Sequence, residues 1–195
     1  MKIGVVAIQG SVEEHIEALQ KTLDERKERC DIIRAKRSDQ MKDCSAIIIP
    51  GGESTTIGRL MHRSGIDKEV IRHASLGTPI LGTCAGLVLL AKEVVNGDER
   101  VYNLGLMDVS ARRNAFGRQR ESFEAPLSIS VLGDRPYNAV FIRAPAITKV
   151  GKNVEVLAKL DKLVVAAMQK NLIALSFHPE LGDDRRFHHF FLDLI

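Results

Sequence analysis

Tryptophan is missing from the 195 residues, and aromatic side chains make up only 5% of them. A surface that stacks nucleic-acid bases needs more rings than that. The net charge does not compensate: 28 basic minus 25 acidic side chains leaves +3, with no basic stripe. Nucleic acid is therefore not an expected partner. Cysteine is scarce too. Cys30, Cys44 and Cys84 form an odd, sparse set, a poor disulfide framework. No apolar run approaches the ~18–20 residues of a membrane span, so no membrane partner is expected. The N-terminal run 1–8 has no apolar core followed by a small-residue cleavage site. Together these absences point to a reducing cytoplasm, with Cys30 and Cys44 as structural thiols. Internal repeats, low-complexity stretches and linkers are also lacking.

What is present is ordinary globular composition, 45% hydrophobic and 27% charged, over a length that suits one domain spanning 1–195. The first half alternates strand and helix. Ile3–Ile8 is a β-branched run stopped by Gly10. Ser11, with Glu14 three residues later, reads as a capping box opening a helix over 12–27. Strands are expected at 31–35, 46–49 and 79–82, and helices at 55–64, 67–76 and 85–95. The second half reads as strands at 104–111, 127–132, 139–143, 154–160, 163–169 and 172–177, with a hairpin turn at 169–171. A last amphipathic helix is expected over 184–194. The fold class is α/β: a parallel-rich sheet with an antiparallel extension.

Chemistry concentrates after the strands. Gly82-Thr83-Cys84-Ala85-Gly86 lies between a short strand and a helix. So sharp a turn strains its central residue and lifts it above the sheet edge, with glycines on either side avoiding clashes. The free N–H groups of the helix start favour a thiolate at Cys84, and the Ala85 N–H can donate to an oxyanion. Taken alone, the pattern also suits a packed core thiol. His178-Pro179-Glu180 follows another apolar run. A histidine there can take the thiol proton and pass it to a leaving group, and Glu180 can fix its tautomer. Pro50-Gly51-Gly52-Glu53-Ser54-Thr55 follows a third strand, its glycines letting backbone approach a ligand. It lacks the G-K-[ST] ending of a nucleotide loop. The segments 113–119 and 141–145 carry Arg113 and Arg143, and a guanidinium can clamp a carboxylate. His188 and His189, near Asp183 and Asp184, point in different directions on a helix and suit chelation poorly. They read as surface or interface residues, and no metal is expected. His15, His62 and His73 show no partner in the sequence.

These blocks, in this order, resemble the class I glutamine amidotransferases, and within them the glutaminase subunits of pyridoxal 5′-phosphate synthase. The closer resemblance rests on Ile8-Gln9-Gly10 with Glu14-His15, on 50–56, on 113–119 followed by Glu121-Ser122-Phe123-Glu124, and on Phe141-Ile142-Arg143-Ala144-Pro145. It implies a flavodoxin-like three-layer sandwich and hydrolysis of L-glutamine to L-glutamate and ammonia through a γ-glutamyl thioester. Cys84, His178 and Glu180 would be the triad. The Gly52 and Ala85 N–H groups would form the oxyanion hole. Gly52, Glu53, Ser54, Arg113, Ile142 and Arg143 would contact glutamine. No cofactor is implied. The implied partner is a (β/α)8-barrel synthase subunit, a dodecameric core carrying up to twelve glutaminase subunits. The charged stretch 23–36 departs from the family pattern.

Two other readings remain. One is a Cys-His-Glu hydrolase akin to the intracellular peptidases, although there the histidine follows the cysteine closely and here it lies 178 − 84 = 94 residues on. The other is a catalytically silent regulatory subunit, which would have lost part of a triad that is present here.

Overall fold

Short aliphatic strands and amphipathic helices alternate along the first 90 residues of the computed structural model, which describes residues 1–95, 102–117 and 121–195. The order is β1 (Lys2–Val6), α1 (Val12–Arg26), β2 (Asp31–Ala35), β3 (Ala46–Ile49), α2 (Ser54–Ser64), α3 (Ile66–Ser75), β4 (Ile80–Thr83) and α4 (Ala85–Leu90). Strands then dominate: β5 (Ala91–Val95), β6 (Met107–Arg112), β7 (Ser122–Leu127), β8 (Tyr137–Ile142), β9 (Ala146–Val150), β10 (Glu155–Leu160), β11 (Leu163–Gln169) and β12 (Leu172–Leu175). α5 (Arg186–Leu192) closes the chain.

The main sheet runs β2-β1-β3-β4-β12-β11-β9-β6-β5, with β10 on β11. The stretch from β2 to β12 is parallel. From β12 to β6 the pairing is antiparallel, and β5 pairs parallel to β6. β7 and β8 form a separate antiparallel hairpin. One face of the sheet packs Ile57, Met61, Val70 and Leu89 from α2, α3 and α4. The other packs Leu19, Leu23, Phe187 and Phe191 from α1 and α5, together with Tyr137 and Phe141 of the hairpin. These are the three layers and the mixed sheet that the sequence implied.

Four local expectations are corrected. The helix expected over 85–95 stops at Leu90, because the segment before β6 takes its last carbonyls: Leu104 N–H donates to Leu89 O (2.6 Å) and Leu106 N–H to Leu90 O (3.0 Å). The next five residues pair with β6 instead. The strand expected at 127–132 lies earlier, at Ser122–Leu127, and 130–132 is a 3-10 turn. β9, just after Pro145, had no counterpart in the sequence reading. Finally, Ser11 begins α1 without capping it through its side chain; its hydroxyl is used elsewhere. The charged stretch 23–36 is a helix end, a loop and β2. Its arginines make surface pairs, Arg26 with Asp193 and Arg34 with Glu13, both at 2.6 Å. Among the described residues, no helix is long and apolar enough to cross a membrane.

Candidate active site

Because β1, β3, β4 and β12 run parallel, their carboxyl ends lie side by side, where open α/β sheets place their sites. The segments that follow them supply Gln9, Gly52, Cys84 and His178 to one cleft of about 270 Å3.

Cys84 is the turn between β4 and α4. Its φ of 49° and ψ of −100° are strained for a residue with a Cβ, by roughly 1–3 kcal/mol. Packing holds it there. Cys84 N–H donates to Leu175 O at 2.8 Å. A Cβ on Gly86 would sit 2.3 Å from Ile49 O, and one on Gly82 would sit 2.7 Å from the Gly86 carbonyl carbon. Only glycine lets β4 and α4 meet β3 this closely. The Cys84 side chain is left at the cleft, 9% exposed.

His178 enters just after β12, its N–H bonded to Val140 O at 2.9 Å. Its Nδ1 lies 2.8 Å from Glu180 Oε1. Gly51 lies between it and Cys84: a Cβ there would fall 2.4 Å from His178 Cε1 and 3.3 Å from Cys84 Cβ. Burial opposes the imidazolium, but the Cys84 sulfur and the Glu180 carboxylate outweigh it and raise the His178 pKa. Burial likewise pushes Glu180 up, yet it is held at about 2 by the facing His15 and by hydrogen bonds from His178 and Ser11. His15 is itself held neutral by burial, so the hydrogen bonds and the His178 charge carry that effect at neutral pH. Glu180 is thereby a carboxylate paired with the His178 ring, which also faces the Cys84 sulfur.

The cleft carries both signs of charge. Glu53 caps α2 by accepting from Thr55 N (3.1 Å) and Thr56 N (2.7 Å), and pairs with Arg113 at 3.0 Å. Its own N–H donates to Gln9 Oε1 at 2.9 Å. Arg143 takes a left-handed φ of 41°, with its N–H on Glu121 O. The Cys84 thiol points at Ile142 O, 3.9 Å away. Gly52, Glu53, Ser54, Ala85, Arg113, Ile142 and Arg143 all line the cleft with Cys84 and His178, so the residues singled out in the sequence converge. Glu180 stands behind His178, outside the cleft lining. Arg118 and Gln119 of the 113–119 block lie outside the described residues.

Sequence reasoning missed the support behind Glu180. Ser11 Oγ donates to Glu180 Oε1 at 2.7 Å, and His15 Nε2 lies 3.0 Å from Thr83 Oγ1 and 3.3 Å from Glu180 Oε2. The signals available were position, since Gln9, Gly10 and Ser11 follow β1 at the same sheet edge, and the place of Glu14-His15 in the resemblance, which carried no role for His15. The surface reading of His188 is also overturned. It is fully buried on the inner face of α5, while His189 is partly exposed and pairs with Glu25. His62 pairs with Asp67, and His73 bonds Met41 O and Thr78.

Relatives match this chain over its full length. The chain is 54% identical over 200 residues to "Pyridoxal 5′-phosphate synthase subunit PdxT" of Methanocella arvoryzae, covering 100% of this chain and 98% of that one. It is 50% identical over 199 residues to the protein of that name from Archaeoglobus fulgidus, with 100% and 98% covered. A solved structure, "Crystal structure of glutamine amidotransferase", superposes with a TM-score of 0.87 at 42% identity over 98% of this chain and 97% of that one. The PurLQS structure from Thermotoga maritima shares the fold, with a TM-score of 0.71 at 15% identity over 98% and 97% of the two chains. A family model matches residues 5–195, and the chain belongs to the SNO glutamine amidotransferase family.

Proposed function

We propose that this chain is the glutaminase subunit of a pyridoxal 5′-phosphate synthase, and that Cys84, His178 and Glu180 carry its chemistry. The observation that carries the reading is the convergence of a strained cysteine, an ion-paired histidine and a two-signed cleft at one sheet edge, in a chain of this family. His178 takes the thiol proton as the Cys84 sulfur attacks the side-chain amide carbon of L-glutamine, and the carbonyl electron pair moves onto oxygen. The oxyanion is met by the Ala85 N–H at the start of α4 and by the Gly52 N–H. The Gly51 carbonyl is held by Ser11 N–H at 3.1 Å; across the same trans peptide, the Gly52 N–H points the opposite way. His178 delivers its proton to the departing nitrogen, the C–N bond breaks, and ammonia and a γ-glutamyl thioester result. Water, giving its proton to His178, then cleaves the thioester to L-glutamate and restores the thiol. Glu180 keeps the imidazole oriented through Nδ1.

Glutamine also presents an α-carboxylate and an α-ammonium. Arg113, Arg143, Glu53, Ser54 and the backbone at Gly52 and Ile142 are the groups at hand for them. The ammonia passes to a separate synthase subunit. The proposed partner is a (β/α)8-barrel synthase subunit forming a dodecamer with up to twelve glutaminase subunits on it. Glutamate release from L-glutamine, with and without that subunit, tests the reading. The rate is expected to rise sharply on adding the subunit and to vanish in Cys84→Ala. Equal activity in Cys84→Ala would sink the mechanism, and indifference to the subunit would sink the partner.

A further inference from the structure

Behind the cleft lies a buried polar layer that this mechanism leaves unused. His15 on α1 and Glu180 are both fully buried at their side chains. Glu180 Oε1 already accepts from Ser11 Oγ (2.7 Å) and from His178 Nδ1 (2.8 Å). Oε2 has no hydrogen bond of its own; the donor nearest to bonding it is His15 Nε2, 3.3 Å away. The same nitrogen stands 3.0 Å from the hydroxyl of Thr83, the residue before the nucleophile. A buried carboxylate with one oxygen unserved is costly. The tautomer follows from that: with the proton on Nδ1, the Nε2 lone pair would face a carboxylate oxygen, whereas Nε2–H faces it with a donor.

We propose that His15 is a positioning residue for the glutaminase reaction: its Nε2–H faces Oε2 of Glu180 from 3.3 Å, holding the carboxylate plane that orients His178, and its hydrogen-bonding contact with Thr83 ties that carboxylate to the turn carrying Cys84. The inference rests on the Cys84–His178–Glu180 reading. It differs from a packing role because His15 meets both members of the site that lie outside the cleft, the triad's acid and the elbow's first side chain. Burial lowers the His15 pKa and keeps the ring neutral, so it serves Glu180 as a donor rather than as a counter-charge. The groups around this pair are Glu14 on α1, His178, His188 on α5 and Tyr137 on β8. Glu17, Lys21, Asp183 and Arg185 sit with Glu180 around the groove that opens on its far side.

The test measures glutamate release by the full chain with the synthase subunit present, across pH, for His15→Leu and His15→Gln. His15→Leu is expected to lower kcat by about tenfold or more, with KM for glutamine within about twofold, since His15 does not touch the cleft. Its acid limb is expected to move to higher pH, because Glu180 without that donor protonates more readily. His15→Gln, which keeps an N–H at similar reach, is expected to recover much of the rate and return the limb toward its original position. A wild-type rate and acid limb in His15→Leu would overturn the proposal. So would equal losses in both variants with an unmoved limb, the signature of packing alone. If His15→Leu does not fold, Thr83→Val carries the test: a smaller shift of the same limb supports the proposal and an unmoved limb overturns it. Cys84→Ala in the same assay keeps the failures apart. Activity there would defeat the triad itself, whereas an inactive Cys84→Ala beside an unaffected His15→Leu would defeat this inference alone.

Discussion

His188 occupies a position that costs the fold free energy. It is fully buried, and neither ring nitrogen has a hydrogen-bond partner. Burial drives its pKa down to about 3. In the unfolded chain the ring titrates near 6.5, so between those values the unfolded state binds a proton that the native state refuses. Native stability therefore falls as pH drops below about 6.5, by up to ~1.4 kcal/mol per pH unit for that one group. His15 acts in the same direction. Glu180, with its pKa depressed to about 2, stabilises the fold above its unfolded value near 4.5 and loses that contribution as pH falls toward 2. His178 works oppositely: its raised pKa contributes fully below 6.5 and is lost as pH climbs through the folded value. His188→Leu, close in volume and without polar atoms, is expected to raise stability at pH 7 by about 1 kcal/mol and to flatten the stability slope between pH 6.5 and 5. Urea unfolding at several pH values measures both. At this scale the meeting of Cys84, His178 and Glu180 was legible, because Cys84 and His178-Pro179-Glu180 sit directly after apolar strands. His15 was not: its partners are far along the chain, and a histidine on an amphipathic helix carries no mark of which wall it meets.

The strand-to-helix turn at Cys84 shows what an element demands of its neighbours. α4 was expected to continue to residue 95, because Leu87, Leu90, Ala91 and Val94 keep helical spacing. Periodicity records which face is apolar, but not which partner takes the backbone hydrogen bonds. Here the segment 104–106 claims the carbonyls of Leu89 and Leu90 and draws the next residues into β5. The same limit explains the misplaced β7, whose pairing with β8 is decided across the hairpin. The parallel strands β3 and β4 were easier, being short apolar runs that stop at Pro50 and start after Pro79. α4 itself depends on its contact with β3. Gly86→Ala would place a methyl group 2.3 Å from Ile49 O, against backbone that cannot swing aside. The expected cost is about 1–3 kcal/mol of overpacking. Because α4 carries the Ala85 N–H and starts at Cys84, glutamate release should fall further than stability. A denaturation curve together with the glutaminase assay on the same sample checks this; unchanged activity at reduced stability would mean that the elbow tolerates movement of α4.

One sheet separates two apolar clusters, and β3 feeds both. Ile49 is buried among α2, α3 and α4, whereas Ile48, one residue before it, is buried among α1, α5 and the β7–β8 hairpin. Neither cluster has a backbone of its own, since each uses the opposite face of the same strands. Losing one layer would bare a face of β1, β3 and β4 and leave the other layer on a sheet with no support. We therefore expect the chain to unfold as a single unit, in keeping with its reading as one domain over 1–195. Ile48→Ala and Ile49→Ala should each cost about 2–4 kcal/mol, as buried Ile-to-Ala changes do. Two probes report on the two sides: Tyr137, in the cluster that holds Ile48, by its near-ultraviolet dichroism, and Cys44, in the cluster that holds Ile49, by protection of its thiol in peptide-mapped alkylation. In urea both probes should give the same midpoint in the parent chain. Each variant should move the two midpoints together, whichever side it was made on. If Ile48→Ala lowered the Tyr137 midpoint and left Cys44 protected at the parent value, the layers would be separable and the single-unit account would fail. A chain that unfolds as one unit also holds the cleft at a fixed geometry, because the strand ends that supply Gly52, Cys84 and His178 cannot loosen one at a time.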